Sequence, residues 1–97
     1  MISEICNAIE NMNLIEFYYD GFHRIVEPHT LGVNTRGNEV LSAYQIRGGS
    51  RRNNVPDWGL FKIEKIESFQ VLDENFSKTR PGYTTSDSRM VEIYCEL

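Results

Sequence analysis

The chain has 97 residues, 40% of them apolar, which is typical of one small globular domain. Its 14 acidic and 10 basic residues leave a formal net charge of -4, which excludes a protein coated with positive charge for non-specific duplex binding. No run approaches the roughly 18 consecutive apolar residues of a membrane span, and the N-terminus has acids where a secretory signal has bases. We therefore expect a cytoplasmic protein with one domain, residues 1–97, and no membrane association.

The two cysteines, Cys6 and Cys95, stand near opposite ends of the chain. Small secreted domains that depend on disulfides usually carry more cysteines. We therefore expect free, partly buried thiols, with a disulfide as the alternative. No metal site is expected, because the chain has no C-x-x-C pair and because His23 and His29 would lie roughly 20 Å apart on an extended strand.

The first third of the chain predicts a helix followed by a β-hairpin. Apolar residues at offsets of 0, 3, 4 and 7 predict a short helix over residues 2–10. Residues 14–19 are rich in β-favouring side chains, and the Asp20-Gly21 pair after them predicts a tight turn into a second strand, 22–26. Either Pro28 ends this strand, or the strand continues past it at an exposed or bulged edge.

The middle of the chain predicts further strands separated by a long loop. Turn residues at 35–38 lead into a third strand over 39–46. Residues 47–59 have three glycines and no periodicity, which predicts an ordered or semi-ordered loop. Loops of this length in compact domains are often functional. Residues 60–72 predict a fourth strand and a short fifth.

The last segment predicts a strand after a polar loop, residues 75–88. Residues 90–97 alternate, so that one face has Val91, Ile93, Cys95 and Leu97 and the other has Met90, Glu92, Tyr94 and Glu96. Together these segments predict a mainly β fold. Five or six short strands would roll into a small barrel, with one N-terminal helix covering an end.

The order of these segments is similar to that of the WYL-domain family. The resemblance covers about residues 5–76 and is carried by two motifs, Arg-x-x-x-Pro-His-x-Leu at 24–31 and Phe-Lys-Ile-Glu-Lys-Ile at 61–66. The chain keeps only Leu41 of the tripeptide that names the family. Further matching stretches are residues 5–9, 17–21 and 37–44 and Phe76, whereas Gly59 and Lys65 stand where family members often have arginine.

The resemblance implies an Sm-like or SH3-like β-barrel that senses a ligand. Members of the family serve mostly in bacterial transcription regulators and in phage-defence or CRISPR-associated systems, where nucleotides or nucleic acids are suspected or demonstrated ligands. These 97 residues contain no helix-turn-helix pattern. A regulatory role would therefore act through a partner protein or by sequestering the ligand.

The predicted loop carries the densest basic segment. Residues 47–52 contain Arg47, Arg51 and Arg52 with two glycines, one serine and no acid, so guanidinium and backbone N-H groups can converge on a phosphate. The alternative is a solvated loop. Trp58, at the end of this loop, either stacks on a base or anchors the loop to the core.

Two further sets of candidate residues combine a base with aromatic rings. Arg24 and His29 lie in the first matched motif and Tyr44 lies on the third strand, where they can receive an anion or stack with a base. The alternative for Arg24 is an ion pair with a carboxylate such as Glu27. The remaining candidates, on the polar loop before the last strand, are Arg80 and Tyr83.

These residues predict a non-enzymatic module that binds an anionic small molecule, a nucleotide or a short single-stranded nucleic acid, with no cofactor. No Gly-x-Ser-x-Gly, paired-carboxylate or Cys-His signature indicates catalysis. The alternative is an interaction subunit whose strand edges pair with another protein or with copies of itself into a homo-oligomer, using Met90 and Tyr94.

Overall fold

The computed structural model describes residues 1–97 and contains one helix and one antiparallel sheet of six strands. Helix α1 spans Ile2–Asn11. The strands are β1 (Asn13–Tyr19), β2 (Phe22–Asn34), β3 (Glu39–Gly48), β4 (Asp57–Lys62), β5 (Glu67–Asn75) and β6 (Met90–Glu96), with a 3-10 turn at Ile63–Lys65. The predicted mainly β class and the N-terminal helix are confirmed.

Strand β2 organises the sheet, because its 13 residues are enough for three partners. Its first part pairs with β1, its last part pairs with β6, and β3 runs along its other edge. The strand order is β4-β3-β2-β1-β5, with β6 beside β2. Since β4 and β5 do not pair, the sheet is not closed, and the predicted Sm-like barrel is not confirmed.

The second of the two alternatives for Pro28 is the one found, because β2 continues through the proline at a bulge. Pro28 pairs with Ala43 and Thr30 pairs with Ser42, so His29 is an extra residue opposite β3. A bulge interrupts the ladder locally, which accommodates a residue that has no N-H to donate. The His29 side chain is fully buried.

The core lies between α1 and the sheet. Apolar positions of α1 face β1, β2 and β6, as the helical spacing predicts. The ring of Phe17 packs edge-on against Phe61, with centroids 5.1 Å apart. No helix of the structure has the length and apolar character needed to cross a membrane.

The predicted alternation of β6 is partly wrong. Met90 is buried and its sulfur lies beside Gly32, whereas Val91 is 69% exposed, the reverse of the prediction. Two register shifts against β2 each add a residue to β6, and each reverses the side on which the following residues lie. Tyr94 is exposed, as predicted, and its hydroxyl donates to Glu39. Met90 is therefore excluded from the predicted assembly face.

The cysteines form a disulfide, so the expectation of free thiols is wrong. Cys6 of α1 and Cys95 of β6 have Cα atoms 5.7 Å apart and are 89 residues apart in sequence. The expectation of free thiols rested on the number of cysteines, and that number does not show which segments of the chain pack together. Here α1 packs beside β6, which brings the two together.

The disulfide predicts a stability that depends on the oxidation state. Removing it through Cys6→Ser with Cys95→Ser should lower the free energy of unfolding by about 2–4 kcal/mol, because the unfolded chain loses a covalent constraint on a long loop. Urea unfolding measures this difference. A reducing agent should lower the stability of the natural protein and leave that of the double variant unchanged; equal stability of all four samples would contradict the prediction.

Candidate functional site

The structure places the nine candidate residues in three locations. A cavity on one side of β4 is lined by Arg24, Arg51, Arg52 and Trp58. The loop that precedes β6 contains or contacts His29, Tyr44, Arg80 and Tyr83. Arg47 lies apart from both and donates to both carboxylate oxygens of Glu74 on the surface, at 3.1 and 3.0 Å. The three arginines of the basic segment therefore do not act as one cluster.

The cavity lies where the open sheet curls back toward itself. The Tyr19 hydroxyl at the end of β1 accepts a hydrogen bond from the Lys62 N-H at the end of β4, at 3.0 Å. The rings of Tyr19 and Phe61 meet edge to face, 5.1 Å apart. Side chains rather than backbone bonds join the two strands here, and the gap between them holds a cavity of about 330 Å³. We call it the arginine cavity.

Arg24 is the buried cation of the arginine cavity, with only 7% of its surface exposed. Its Nη1 donates to Gln45 Oε1 at 3.3 Å and its Nη2 donates to the Tyr19 carbonyl oxygen at 3.1 Å. Its Nε-H is buried without an acceptor. An unpaired buried donor costs about 1–3 kcal/mol, so native proteins rarely leave one without a reason.

No carboxylate pairs with Arg24. The alternative prediction of an ion pair with Glu27 is wrong, because Glu27 binds Arg80 instead. The Arg24 guanidinium lies among three rings, 5.4 to 5.6 Å from the centroids, which belong to Tyr19, Phe22 and Phe61. Burial lowers the pKa of Arg24, but an arginine stays charged in proteins. The cavity therefore contains a positive charge that rings, neutral oxygens and the Asp20 carboxylate, which favours the charged form without bonding to it, only partly compensate.

The loop above Arg24 is held by side-chain hydrogen bonds and brings two more arginines to the rim. The Ser50 hydroxyl donates to Asn54 Oδ1 at 2.8 Å and Asn54 Nδ2 donates to Asp57 at 3.1 Å. The loop is shorter than the predicted 47–59, because β3 ends at Gly48 and β4 begins at Asp57. Arg51 is exposed and lies 3.6 Å from Asp20, a weak pair in solvent. Arg52 is exposed and has no ion pair.

Gly48 fixes the direction in which this loop leaves β3. Its φ of +92° is a conformation that suits glycine, and a Cβ atom there would collide with the His23 carbonyl group. The Gly49 N-H then donates to the same carbonyl oxygen at 3.1 Å. This turn directs Arg51 and Arg52 toward Arg24 and separates them from Arg47.

Trp58 stands between the arginine cavity and the loop that precedes β6. Its Nε1-H donates to the Pro81 carbonyl oxygen at 2.8 Å, and its ring lies 4.7 Å from that of His29. The sequence predicted either stacking or anchoring of the preceding loop. The indole N-H instead anchors the loop that follows it in sequence by more than 20 residues, while Trp58 also lines the cavity.

Residues 77–83, which we call the strap, are fastened to the sheet by Arg80. The guanidinium makes a bidentate pair with the Glu27 carboxylate, at 2.7 and 2.9 Å, and lies 4.7 Å from the centroid of the Tyr44 ring. The hydrogen bond to Glu27 raises the pKa of Arg80. The strap ends at Tyr83, whose hydroxyl donates to the Leu97 carbonyl oxygen. The contacts of Arg80, Tyr44 and Tyr83 therefore fasten the strap to the sheet and to Leu97.

His29 is the second anchor of the strap. Its Nδ1 lies 2.8 Å from the Glu27 carbonyl oxygen, which requires a proton on Nδ1, and its Nε2 accepts from the Arg80 N-H at 3.2 Å. The surrounding rings are those of Trp58, Phe76 and Tyr83. Burial lowers the pKa of His29, so it is neutral at neutral pH. Full burial prevents it from touching a ligand in this conformation.

Sequence reasoning missed the polar residues that complete the arginine cavity. They are Asp20, Gln45, Asn54 and Asp57. Of these, Gln45 could have been recognised from the sequence, because an amide is unusual among the β-favouring residues of a strand. In the structure only 3% of the Gln45 surface is exposed. Its Nε2 donates to the carbonyl oxygens of Arg47 and Gly49, both at 3.0 Å, so it connects Arg24 to the loop.

The two arginine–glutamate pairs differ in burial and in geometry, because Arg80 uses two nitrogens and Arg47 uses only Nη2. The Glu27 side chain is 5% exposed and that of Glu74 is 60% exposed. Glu27→Gln should lower the free energy of unfolding by about 1–3 kcal/mol, since Arg80 keeps partial access to solvent. Glu74→Gln should cost at most about 1 kcal/mol. Urea unfolding of the two variants measures both; equal losses would contradict the importance of the buried pair.

Comparison of the chain with protein-family profiles, with curated proteins and with solved structures finds no match in any of the three. The resemblance to the WYL-domain family therefore stays a prediction based on the motifs at 24–31 and 61–66. These motifs lie on β2 and at the end of β4 with the 3-10 turn. Both reach the arginine cavity, the first through Arg24 and the second through Phe61.

Proposed function

We propose that this protein is a non-enzymatic regulatory module that binds a nucleotide in the arginine cavity. The observation that carries the proposal is the state of Arg24, a buried cation with no carboxylate partner and an unpaired Nε-H. Two exposed arginines, Arg51 and Arg52, stand at the rim of the same cavity. An anionic ligand supplies the directly bonded negative partner that Arg24 does not have in the protein, where Asp20 acts on it without a hydrogen bond.

The charges of the arginine cavity favour an anion although the whole chain is acidic. Its lining contains three arginines and two aspartates, which leaves one excess positive charge, against a formal net charge of -4 for the chain. Guanidinium groups match phosphate oxygens in a planar, bidentate geometry. Phosphate is therefore the favoured anionic group, and exposed Arg51 and Arg52 are its first contacts.

The remaining lining favours a nucleoside attached to that phosphate. Trp58 and Leu60 add apolar surface, and Leu60 is 41% exposed. The carboxylates of Asp20 and Asp57 accept hydrogen bonds from ribose hydroxyls or base N-H groups. The volume of about 330 Å³ is at the small end of the range for ligand sites, which suits one nucleotide or one unit of a short single strand.

The similarity to WYL domains supports a regulatory role, because members of that family sense ligands for bacterial regulators and phage defence. A cytoplasmic location belongs to the same proposal. Disulfides persist mainly in oxidising compartments, so the Cys6–Cys95 link is the feature that opposes this location. Labelling of free thiols in freshly lysed cells shows whether Cys6 and Cys95 are reduced, as a cytoplasmic location implies, or joined in the disulfide.

The rim arginines should control nucleotide affinity. Arg51→Ala with Arg52→Ala is expected to weaken binding about 10- to 100-fold, because two charge-assisted contacts to phosphate are lost. Calorimetric titration with ribonucleoside mono-, di- and triphosphates measures the affinity, and added salt should weaken it.

The matched control is Arg36→Ala with Arg47→Ala, which removes the same charge from positions outside the arginine cavity. This control should bind nearly as the natural protein does. An equal loss in both double variants would indicate a general charge effect rather than a site. If the natural protein binds none of the nucleotides or short oligonucleotides tested, the proposed function is rejected.

The free strand edges favour self-association as a second candidate function. β5 pairs only with β1, and Val71 on it is 44% exposed. An unpaired edge can add a strand from another copy. In that case the mass measured by light scattering rises with concentration and Val71→Lys reverses the rise. A constant mass near 11.3 kDa rejects this candidate.

A further inference from the structure

We propose that the strap, residues 77–83, is an acid-releasable clasp with His29 as its proton acceptor, and that its release frees Trp58 at the wall of the arginine cavity. The strap is fastened to the sheet at three points. His29 Nε2 accepts from the Arg80 N-H, Glu27 binds the Arg80 guanidinium, and Trp58 donates to the Pro81 carbonyl oxygen.

Only one protonation state of His29 fits these contacts. The neutral ring with its proton on Nδ1 donates to the Glu27 carbonyl oxygen and accepts from Arg80. The other neutral tautomer would place two acceptors 2.8 Å apart at Nδ1 and two donors 3.2 Å apart at Nε2. The protonated ring satisfies Nδ1 but opposes the Arg80 N-H with a second N-H. Protonation therefore removes one anchor of the strap.

The surroundings of His29 do not compensate the charge it would acquire. Three ionisable groups face it: the Glu27 carboxylate, the Arg80 guanidinium and the Tyr83 hydroxyl. The negative charge of Glu27 favours protonation, but Arg80 opposes it and is bound to Glu27 itself. The other neighbours, Trp58 and Phe76, are uncharged rings. A cation in this fully buried position is therefore unfavourable.

Acid shifts the balance toward the open strap for a simple reason. When the strap opens, His29 meets water and its pKa returns to the ordinary value of 6.5, whereas burial lowers the pKa in the closed state. Opening therefore takes up a proton below pH 6.5. The opening equilibrium should rise about tenfold for each pH unit below that value, until the pKa of the closed state is reached. Above pH 6.5 the opening equilibrium does not depend on pH.

Trp58 connects the clasp to the arginine cavity. Release of the strap removes the acceptor of its Nε1-H and the Gly82 backbone that lies beside the indole, whereas the rings of His29 and Tyr44 stay on the sheet. Because Trp58 also lines the cavity, nucleotide affinity should fall as the strap opens. This second effect rests on the proposed function, whereas the release of the strap does not.

Trp58 is the only tryptophan, so its fluorescence reports on the clasp without any ligand. Between about pH 8 and about pH 5 we expect emission to shift to longer wavelength as the indole becomes hydrated, with the transition below pH 6.5. Far-ultraviolet circular dichroism should stay constant because the sheet remains paired. The shift should disappear in His29→Gln and persist in the control His23→Gln, which changes the only other histidine.

A second measurement keeps the proposal testable if His29→Gln does not fold. Nuclear magnetic resonance of the natural protein at neutral pH should show the proton of His29 on Nδ1, and the Arg80 amide should lose its protection from exchange in the same pH range. The clasp is overturned if the proton of His29 lies on Nε2 or if the fluorescence shift is absent. It is also overturned if the shift survives in folded His29→Gln or coincides with loss of the circular dichroism signal.

Calorimetric titration with the nucleotides used above then separates the two proposals. A fluorescence transition that depends on His29, without nucleotide binding at any pH, supports the clasp and rejects the proposed function. Nucleotide affinity that is unchanged across the transition overturns the connection between the clasp and the cavity. Affinity that falls with the transition in the natural protein but not in His29→Gln supports both.

Discussion

The pairing of β2 with β3, whose register shifts once at Ile46 of β3 and again at the His29 bulge of β2, is the constraint on which both parts of the site depend. Before the bulge, the register places Arg24 opposite Gly48, where the loop with Arg51 and Arg52 begins. At the bulge, His29 turns inward to meet the strap. A shift of one residue would reverse the sides of all following side chains. The cavity and the clasp therefore depend on the register of a single strand.

Two arginines, Arg24 buried and Arg80 partly exposed, show how differently this small protein stabilises positive charge. Arg80 has a bidentate carboxylate partner, whereas Arg24 has rings, a carbonyl oxygen and an amide. Acidic residues are in excess in the chain, so the absence of a partner for Arg24 is not a shortage of carboxylates. A buried charge without a partner lowers stability, and functional sites are where proteins retain such costs. This contrast is the basis for proposing Arg24, and not Arg80, as a residue that binds a ligand.

Local features of the sequence predicted local structure, and contacts between distant segments were missed. The Asp20-Gly21 turn, the bulge option at Pro28 and the order of the strands follow from short-range preferences. The disulfide between Cys6 and Cys95 depends on where α1 and β6 meet. The contact of His29 with the strap likewise joins residues 51 apart. Periodicity describes the faces of one strand, so it did not reveal the two bulges that bury Met90.

The disulfide has a consequence for how far the strap can travel. Residues 77–83 lie inside the covalent loop closed by Cys6 and Cys95, with buried Phe76 on one side and β6 on the other. An opened strap is thus a loop tethered at both ends, and its excursion is limited and reversible. Even a chain cut within it would remain one covalent molecule until the sulfur bridge was reduced.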